Sequence, residues 1–190
     1  ADGVRVAEVY GFTHYADAAG VVSVQLPDLH AGASWQLICR LAMPAAQGSS
    51  QPVAEARLVY TDLQHGSSPR VAAAGPLAAE VTPQAERVRD AENQSVMVEV
   101  VRMEGALAAQ RASLELEQGR NQEAARILAQ AQQATDRANQ RYQSPKLFSF
   151  SGNLRALFAS SANALGGEER NDLAKRQHKM LRDFSENSSR

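Results

Sequence analysis

Histidines, a single cysteine and several serines are the side chains of this chain that have the chemistry for nucleophilic catalysis or metal binding. A hydrolytic triad needs a nucleophile, a base and an orienting acid, yet no serine occupies a strand-to-helix elbow of the GxSxG type. Zinc-ligand spacing and glycine-rich phosphate-binding loops are also absent from the sequence. The histidines are scattered in or beside predicted turns or on a polar helix face, at His14, His30, His65 and His178. We therefore predict a chain that is not an enzyme and has no catalytic, cofactor-binding or metal-binding residues.

Cys39 belongs to a period-two pattern that it shares with Trp35, Leu37 and Leu41. Because alternate residues of a strand lie on one face, this pattern predicts that Cys39 is a buried, small apolar residue and not a reactive thiolate. The polar stretch GFTHYAD at residues 11–17 could present a cluster of side chains, but we interpret it as a solvated loop.

Four basic residues near the end of the chain form the best candidate for a partner surface. They are Lys175, Arg176, Lys179 and Arg182. Their charges suit an acidic partner, whereas the nearby Met180 and Leu181 favour an ordinary amphipathic surface helix.

Composition and charge restrict the classes of partner. The formal net charge of the 190 residues is −1, and apolar residues make up 44% of them. Nucleic-acid binding needs a concentrated set of Lys and Arg that releases counterions, so we expect no nucleic-acid partner. No apolar run approaches the roughly 20 residues of a membrane-spanning helix, so we expect no membrane insertion.

The ends and the cysteine content bear on where the chain comes from. A lone cysteine forms no internal disulfide, so nothing marks an oxidising compartment; the sequence leaves the compartment open while favouring the cytoplasm. The chain starts at Ala1 without a methionine, which suits a fragment of a longer protein.

Residues 1–82 contain short period-two segments separated by turn signals rich in Gly and Pro. They predict strands at 4–10, 21–26, 34–43, 53–61 and 76–82. Since no helical period intervenes, we expect these strands to form an antiparallel β-sandwich.

Residues 83–143 change to apolar spacings of three, four and seven, which predict amphipathic helices at about 90–118 and 122–142. Gly119 suits the left-handed position after the first helix, and Asn121 suits the cap of the second. The short turn makes the two helices an antiparallel hairpin.

Two stretches beside the hairpin complete an α+β fold. Residues 83–90 fit either a helix capped by Thr82 or a loop, and we expect the loop. Residues 144–190 contain many large apolar residues, so we expect short helices that pack on the rest of the chain, followed by a frayed C-terminus.

Three stretches in order resemble bacterial proteins that carry a von Willebrand factor type A domain. VSVQLPDLHAGASWQLICRLAMP at 22–44 is similar to the strand, turn and long strand that follow that domain. VAEARLVYTD at 53–62 resembles the family's strand ending in Tyr-Asp. The Ala-rich segment from Asn93 to Gln133 looks like the family's helix-turn-helix. The resemblance covers about residues 4–141.

The resemblance implies the C-terminal accessory region of such a protein, a β-sandwich with a helical hairpin, without the type A domain itself. In the family, that domain holds a divalent cation through a DxSxS loop, a Thr and an Asp. The nearest string here contains Asp183 and Ser185 but lacks the second serine, so no metal site is carried over. Family members act in interaction or assembly, which implies a scaffold module whose partners are an upstream type A domain and a MoxR-type AAA+ ATPase.

Two other functions stay open. LELEQGRNQEAARILAQA at 114–131 also resembles the turn of a tetratricopeptide repeat, which would make the chain a helical adaptor for a peptide. Such a groove needs about three repeats near 34 residues each, and we find one hairpin. An unrecognised enzyme is the third possibility.

Overall fold

The computed structural model describes residues 3–30, 34–44, 50–63, 66, 68–163 and 175. The order of elements is strands followed by helices, and the predicted α+β class with a helical hairpin is confirmed. The strands are β1 (Arg5–Val9), β2 (His14–Ala16), β3 (Val22–Val24), β4 (Cys39–Ala42), β5 (Ser50–Thr61) and β6 (Pro69–Glu80). The helices are α1 (Ala85–Asp90), α2 (Gln94–Glu117), α3 (Asn121–Tyr142) and α4 (Pro145–Asn163).

The chain divides into two compact units. The first contains residues 1–9, 15–23 and 39–92, and the second contains residues 10–14, 24–38 and 93–190. The strands β1, β4, β5 and β6 therefore belong to the first unit, and the helices α2, α3 and α4 belong to the second.

The strands of the described residues pair in twos. β1 pairs antiparallel with β4, β2 pairs with β3, and β5 pairs antiparallel with β6. Each of these sheets has only two strands, so the predicted β-sandwich is supported only as a set of two-stranded sheets. A turn at residues 17–20 joins β2 to β3. The Asp17 carboxylate stabilises it by accepting hydrogen bonds from the Ala19 and Val21 amides, each 2.9 Å long.

The expected long strand at 34–43 was wrong over most of its length. Only Cys39–Ala42 forms a strand, and Trp35 instead packs edge-on against Phe12 with ring centroids 6.1 Å apart. The predicted burial of Cys39 was also wrong, because its residue is exposed. The alternation that starts at Trp35 does not run through one continuous strand, so it does not place Trp35 and Cys39 on one buried face.

The loop expected at 83–90 was also wrong, because α1 covers Ala85–Asp90. Thr82 does take part at its start, where its hydroxyl accepts a hydrogen bond of 3.2 Å from the Gln84 amide. The helix is then tied to β6 by two hydrogen bonds from Arg87 to the Glu80 carboxylate, 2.9 and 3.0 Å long.

The turn between α2 and α3 is a Schellman motif. Gly119 adopts φ 75°, its amide donates to the Leu116 carbonyl, and the Arg120 amide donates to the Glu115 carbonyl. The predicted role of Gly119 is therefore confirmed. The predicted cap was wrong, since Arg120 occupies the N-cap position and Asn121 is already the first residue of α3.

The buried core of the second unit lies between α2, α3 and α4, where α3 packs against both neighbours and α4 also contacts α2. The face contributed by α2 consists mainly of small residues, and the larger side chains come from α3 and α4. The buried members are Ala106, Ala109, Ala112, Leu116, Ala124, Leu128, Phe150, Leu154 and Leu157. In the described part of the segment after the hairpin, α4 is a helix of 19 residues, longer than the short helices expected.

Gly105 lets α4 approach α2 closely. A Cβ atom at this position would lie 2.4 Å from Cε1 of the buried Phe150 ring. Gly152 on α4 is exposed, and a Cβ atom there would contact nothing within 4 Å. The two helical glycines therefore differ only in what surrounds them.

Gly105→Ala should lower the free energy of unfolding by about 1–2 kcal/mol, because overpacking of the core outweighs the gain in helix propensity. Gly152→Ala should raise it by up to about 1 kcal/mol, since only helix propensity changes. Urea unfolding followed by circular dichroism measures both. A stabilising Gly105→Ala would contradict the packing described here.

Candidate interaction surface

Among the residues that the structure describes, those singled out in the sequence do not come together in one site. Lys175 is exposed, whereas Arg176, Lys179 and Arg182 lie outside the described residues. Of the histidines, His14 and His30 are exposed, and His65 and His178 lie outside the described residues. Over the described ranges, no group of three or more His, Cys, Asp or Glu side chains is placed to hold a metal ion.

The thiol of Cys39 has the wrong electrostatics for a nucleophile. Although the residue is exposed, partial desolvation raises the pKa of its thiol above the ordinary value. A raised pKa lowers the thiolate fraction at neutral pH, and the thiolate is the reactive form.

A charge cluster on the helical unit was not predicted from the sequence. The Glu99 carboxylate accepts hydrogen bonds from Arg102 at 2.6 Å and from Lys146 at 2.9 Å. The side chains of Glu99 and Arg102 are only 10% and 13% exposed, whereas that of Lys146 is 61% exposed. Since Lys146 belongs to α4, the cluster links the first half of α2 to the start of α4. Both cations pair with the one Glu99 carboxylate inside the helical unit, so we interpret the cluster as structural.

A shallow groove of about 360 Å³ runs between α2 and α3. Small and aliphatic residues line it, including Gly105, Ala108, Ala131 and Ala134. Charged residues also line it, and we call Glu104, Arg111, Glu123 and Arg126 its charged rim. Glu104 also accepts a hydrogen bond of 3.1 Å from the Tyr10 hydroxyl.

Ion pairs near the α2–α3 turn lower the pKa values of two carboxyl groups, those of Glu115 and Glu123. The hydrogen bond from the Arg120 guanidinium holds the pKa of Glu115 below its ordinary value. The hydrogen bonds from Arg126, 2.5 and 2.8 Å long, do the same to the pKa of Glu123. Both pairs are accessible to solvent and add little to the stability of the fold, and of the two only the Glu123–Arg126 pair lines the groove.

The hairpin formed by β5 and β6 belongs to the first unit, and we call it the ribbon. Each of its strands has 12 residues, and most of these are exposed. Its register places Val59 opposite Val71 on one face, with 64% and 63% of these residues exposed. Leu58 and Tyr60 lie on the other face and are 46% and 41% exposed. Both faces of the ribbon therefore present large apolar side chains to solvent.

The sequence pattern predicted β5 and only the last residues of β6. The alternation over 53–61 predicted β5, but β6 is rich in alanine from Ala72 to Ala74 and contains Gly75 and Pro76, which have no strand signature. A strand was expected only over 76–82, which missed most of β6 (Pro69–Glu80).

Comparison of the chain with protein-family models, with curated proteins and with solved structures gives no match. The resemblance to type A domain proteins therefore stays a hypothesis that rests on the three sequence stretches. Among the described residues, no helix combines the length and the apolar character needed to cross a membrane.

Glu99→Gln should lower the free energy of unfolding by about 1–3 kcal/mol, because it removes the charge of a shielded carboxylate that accepts hydrogen bonds from Arg102 and Lys146. Lys146→Gln should change it by less than about 1 kcal/mol, since the Lys146 side chain is mostly in water. Chemical denaturation of both variants is the measurement. Equal losses of unfolding free energy in the two variants would show that the pair with Lys146 accounts for the whole effect of removing the Glu99 charge.

Carboxyl titration by NMR should place the pKa values of Glu115 and Glu123 below those of unpaired glutamates. Because folding lowers these pKa values, the pairs contribute stability above the ordinary glutamate pKa, and it is lost as the pH falls through the lowered values. Arg120→Gln should raise the pKa of Glu115 more than that of Glu123. Arg126→Gln should do the reverse, and a common shift in both variants would contradict the separate pairings.

Proposed function

We propose that this chain is a non-enzymatic protein–protein interaction module, a scaffold element whose main contact surface is the ribbon. The observation that carries the proposal is the exposure of large apolar side chains on both faces of a two-stranded sheet. These side chains are Leu58, Val59, Tyr60, Val71 and Leu77.

The physical argument is that such a ribbon is incomplete by itself. An isolated two-stranded sheet is marginally stable in water, and it gains stability when an apolar face is covered. Contiguous exposed apolar surface is a mark of interaction sites on proteins. Covering Val59 and Val71, which face each other across the strands, would remove a connected apolar patch from water.

The partners we propose follow from the sequence resemblance. They are a type A domain encoded upstream in the parent chain and a MoxR-type AAA+ ATPase. The basic set of Lys175, Arg176, Lys179 and Arg182 would serve an acidic surface on such a partner. This part of the proposal depends on the three resembling stretches and on the charges of the basic set, and it stands apart from the geometry of the ribbon.

The groove between α2 and α3 favours a second candidate function, a helical adaptor that binds a peptide. Its small lining residues and its charged rim suit a short peptide segment, either extended or helical. The helices that form it have 24 and 22 residues, which is longer than the helices of a 34-residue repeat allow. We therefore place this function second.

The test uses the polypeptide encoded immediately before Ala1. We expect its sequence to contain an apolar strand followed by DxSxS, and a sequence without this motif would remove the type A domain from the proposal. The purified upstream polypeptide should bind the present chain in a calorimetric titration. Replacing Val59 and Val71 together by Thr keeps β propensity while removing apolar surface, and it should weaken binding about tenfold.

Two variants serve as controls for this titration. Val96→Thr makes the same change at an exposed valine of α2, 49% exposed, and should leave the affinity unchanged. Ala134→Glu places a charge in the groove. Loss of binding in Ala134→Glu with full binding in the ribbon variant would favour the adaptor, and equal binding by all variants would overturn the proposal for the ribbon.

A further inference from the structure

The outer edge of β5 is a long strand edge open to pairing. In the described part of the chain, the sheet of the ribbon consists of β5 and β6 only, so each strand has one edge without a neighbouring strand. Such an edge presents backbone N–H and C=O groups that can pair with another strand. The central seven residues of β5, from Val53 to Val59, include neither Pro nor Gly.

We infer that the edge of β5 pairs with β5 of a second copy of this chain in antiparallel orientation, an inference that rests on the proposed function of the ribbon as a protein-binding element. The two ribbons then form one four-stranded sheet, with β5 strands in the middle and β6 strands outside. Three or more strands with an apolar face give a sheet the stability that a lone hairpin lacks.

The sequence of β5 is self-complementary about Ala56. When a twofold axis passes at Ala56, Glu55 of each copy lies opposite Arg57 of the other copy. Two cross-strand ion pairs result from the symmetry. Opposite charges at facing positions stabilise antiparallel strands.

The charges needed for this pairing are available. Within one chain, Glu55 and Arg57 are 3.8 Å apart at their nearest atoms, and their side chains are 60% and 68% exposed. Residues two apart on a strand share a face without lying opposite each other, so this contact is weak. A second copy offers each charge a partner directly across the strand.

The edge of β6 is a poorer candidate, although Arg70 and Glu80 lie symmetrically about Gly75. Arg70 is 3.4 Å from the Asp62 carboxylate, and Glu80 already holds Arg87. The middle of β6 contains Gly75 at φ 120° and Pro76, which lacks an N–H donor. The register between the strands shifts twice here: the first shift adds a residue to β5 at Val53, and the second adds one to β6 beside Gly75 and Pro76. From Ala54 onward, β5 combines self-complementary charges with a run free of Pro and Gly, whereas β6 does not.

Sedimentation equilibrium of the whole chain over a range of concentrations tests the inference, with the wild type expected to form a dimer. Glu55→Lys puts two like-charged pairs in place of two ion pairs, and so does Arg57→Glu. Each variant should raise the dissociation constant of the dimer about tenfold. The variant Arg70→Glu changes the same charge on β6 and should dimerise like the wild type.

The decisive measurement mixes the two weakened variants. In a heterodimer of Glu55→Lys with Arg57→Glu, both facing pairs again have opposite charges, so the mixture should dimerise with an affinity close to that of the wild type. The chain carrying both substitutions should also dimerise, since its charges are merely exchanged. Circular dichroism of each variant establishes that the fold is retained.

Three outcomes would overturn the inference: a wild type that stays monomeric at all concentrations, a dimer unaffected by either charge reversal, or a mixture that fails to regain affinity. None of these outcomes contradicts the proposed function if the upstream polypeptide still binds through Val59 and Val71. If that binding is absent but the charge-dependent dimer forms, the proposal of an upstream partner is wrong and the inference of a β5–β5 dimer stands.

Discussion

The close approach of α2 to its neighbours is the constraint on which the helical unit depends. The Phe150 ring occupies the space that a side chain at position 105 would need, and Ala109 and Ala112 are fully buried beside it. An alanine buries little apolar area itself, so most of the hydrophobic stabilisation comes from larger residues such as Leu128 and Leu154. The small residues contribute by allowing those side chains to reach the core.

Polar contacts then define how the three helices align. Gln94 at the start of α2 donates a 2.6 Å hydrogen bond to the Tyr142 carbonyl at the end of α3, and Ser151 of α4 donates to Asp136 of α3. With Glu99 and its two cations, these contacts join every pair of helices. A shielded ion pair adds little net stability compared with apolar packing, but breaking one is costly, and this asymmetry favours a single helix register.

The ribbon contrasts with the helical unit in where its apolar side chains lie. The helices bury theirs against each other, whereas Val59 and Val71 face each other in solvent. The proposal of an interaction module follows from this contrast, because a two-stranded sheet becomes more stable when a protein partner covers its exposed apolar surface. Its face and its edge differ chemically: the face is apolar, and the edge of β5 combines backbone groups with Glu55 and Arg57.

Local patterns determined the elements whose stabilisation is local. Helical periodicity placed α2 and α3 nearly at their observed bounds, and the need for a positive φ identified Gly119. The tertiary structure alone decided the helix at Ala85–Asp90, which is too short for a periodic signal, and the exposure of Cys39, which depends on what covers a strand. It also decided the ribbon surface and the fit of Phe150 on Gly105. These features depend on contacts between residues far apart in sequence. The pattern within one segment does not encode which distant residues will pack against that segment.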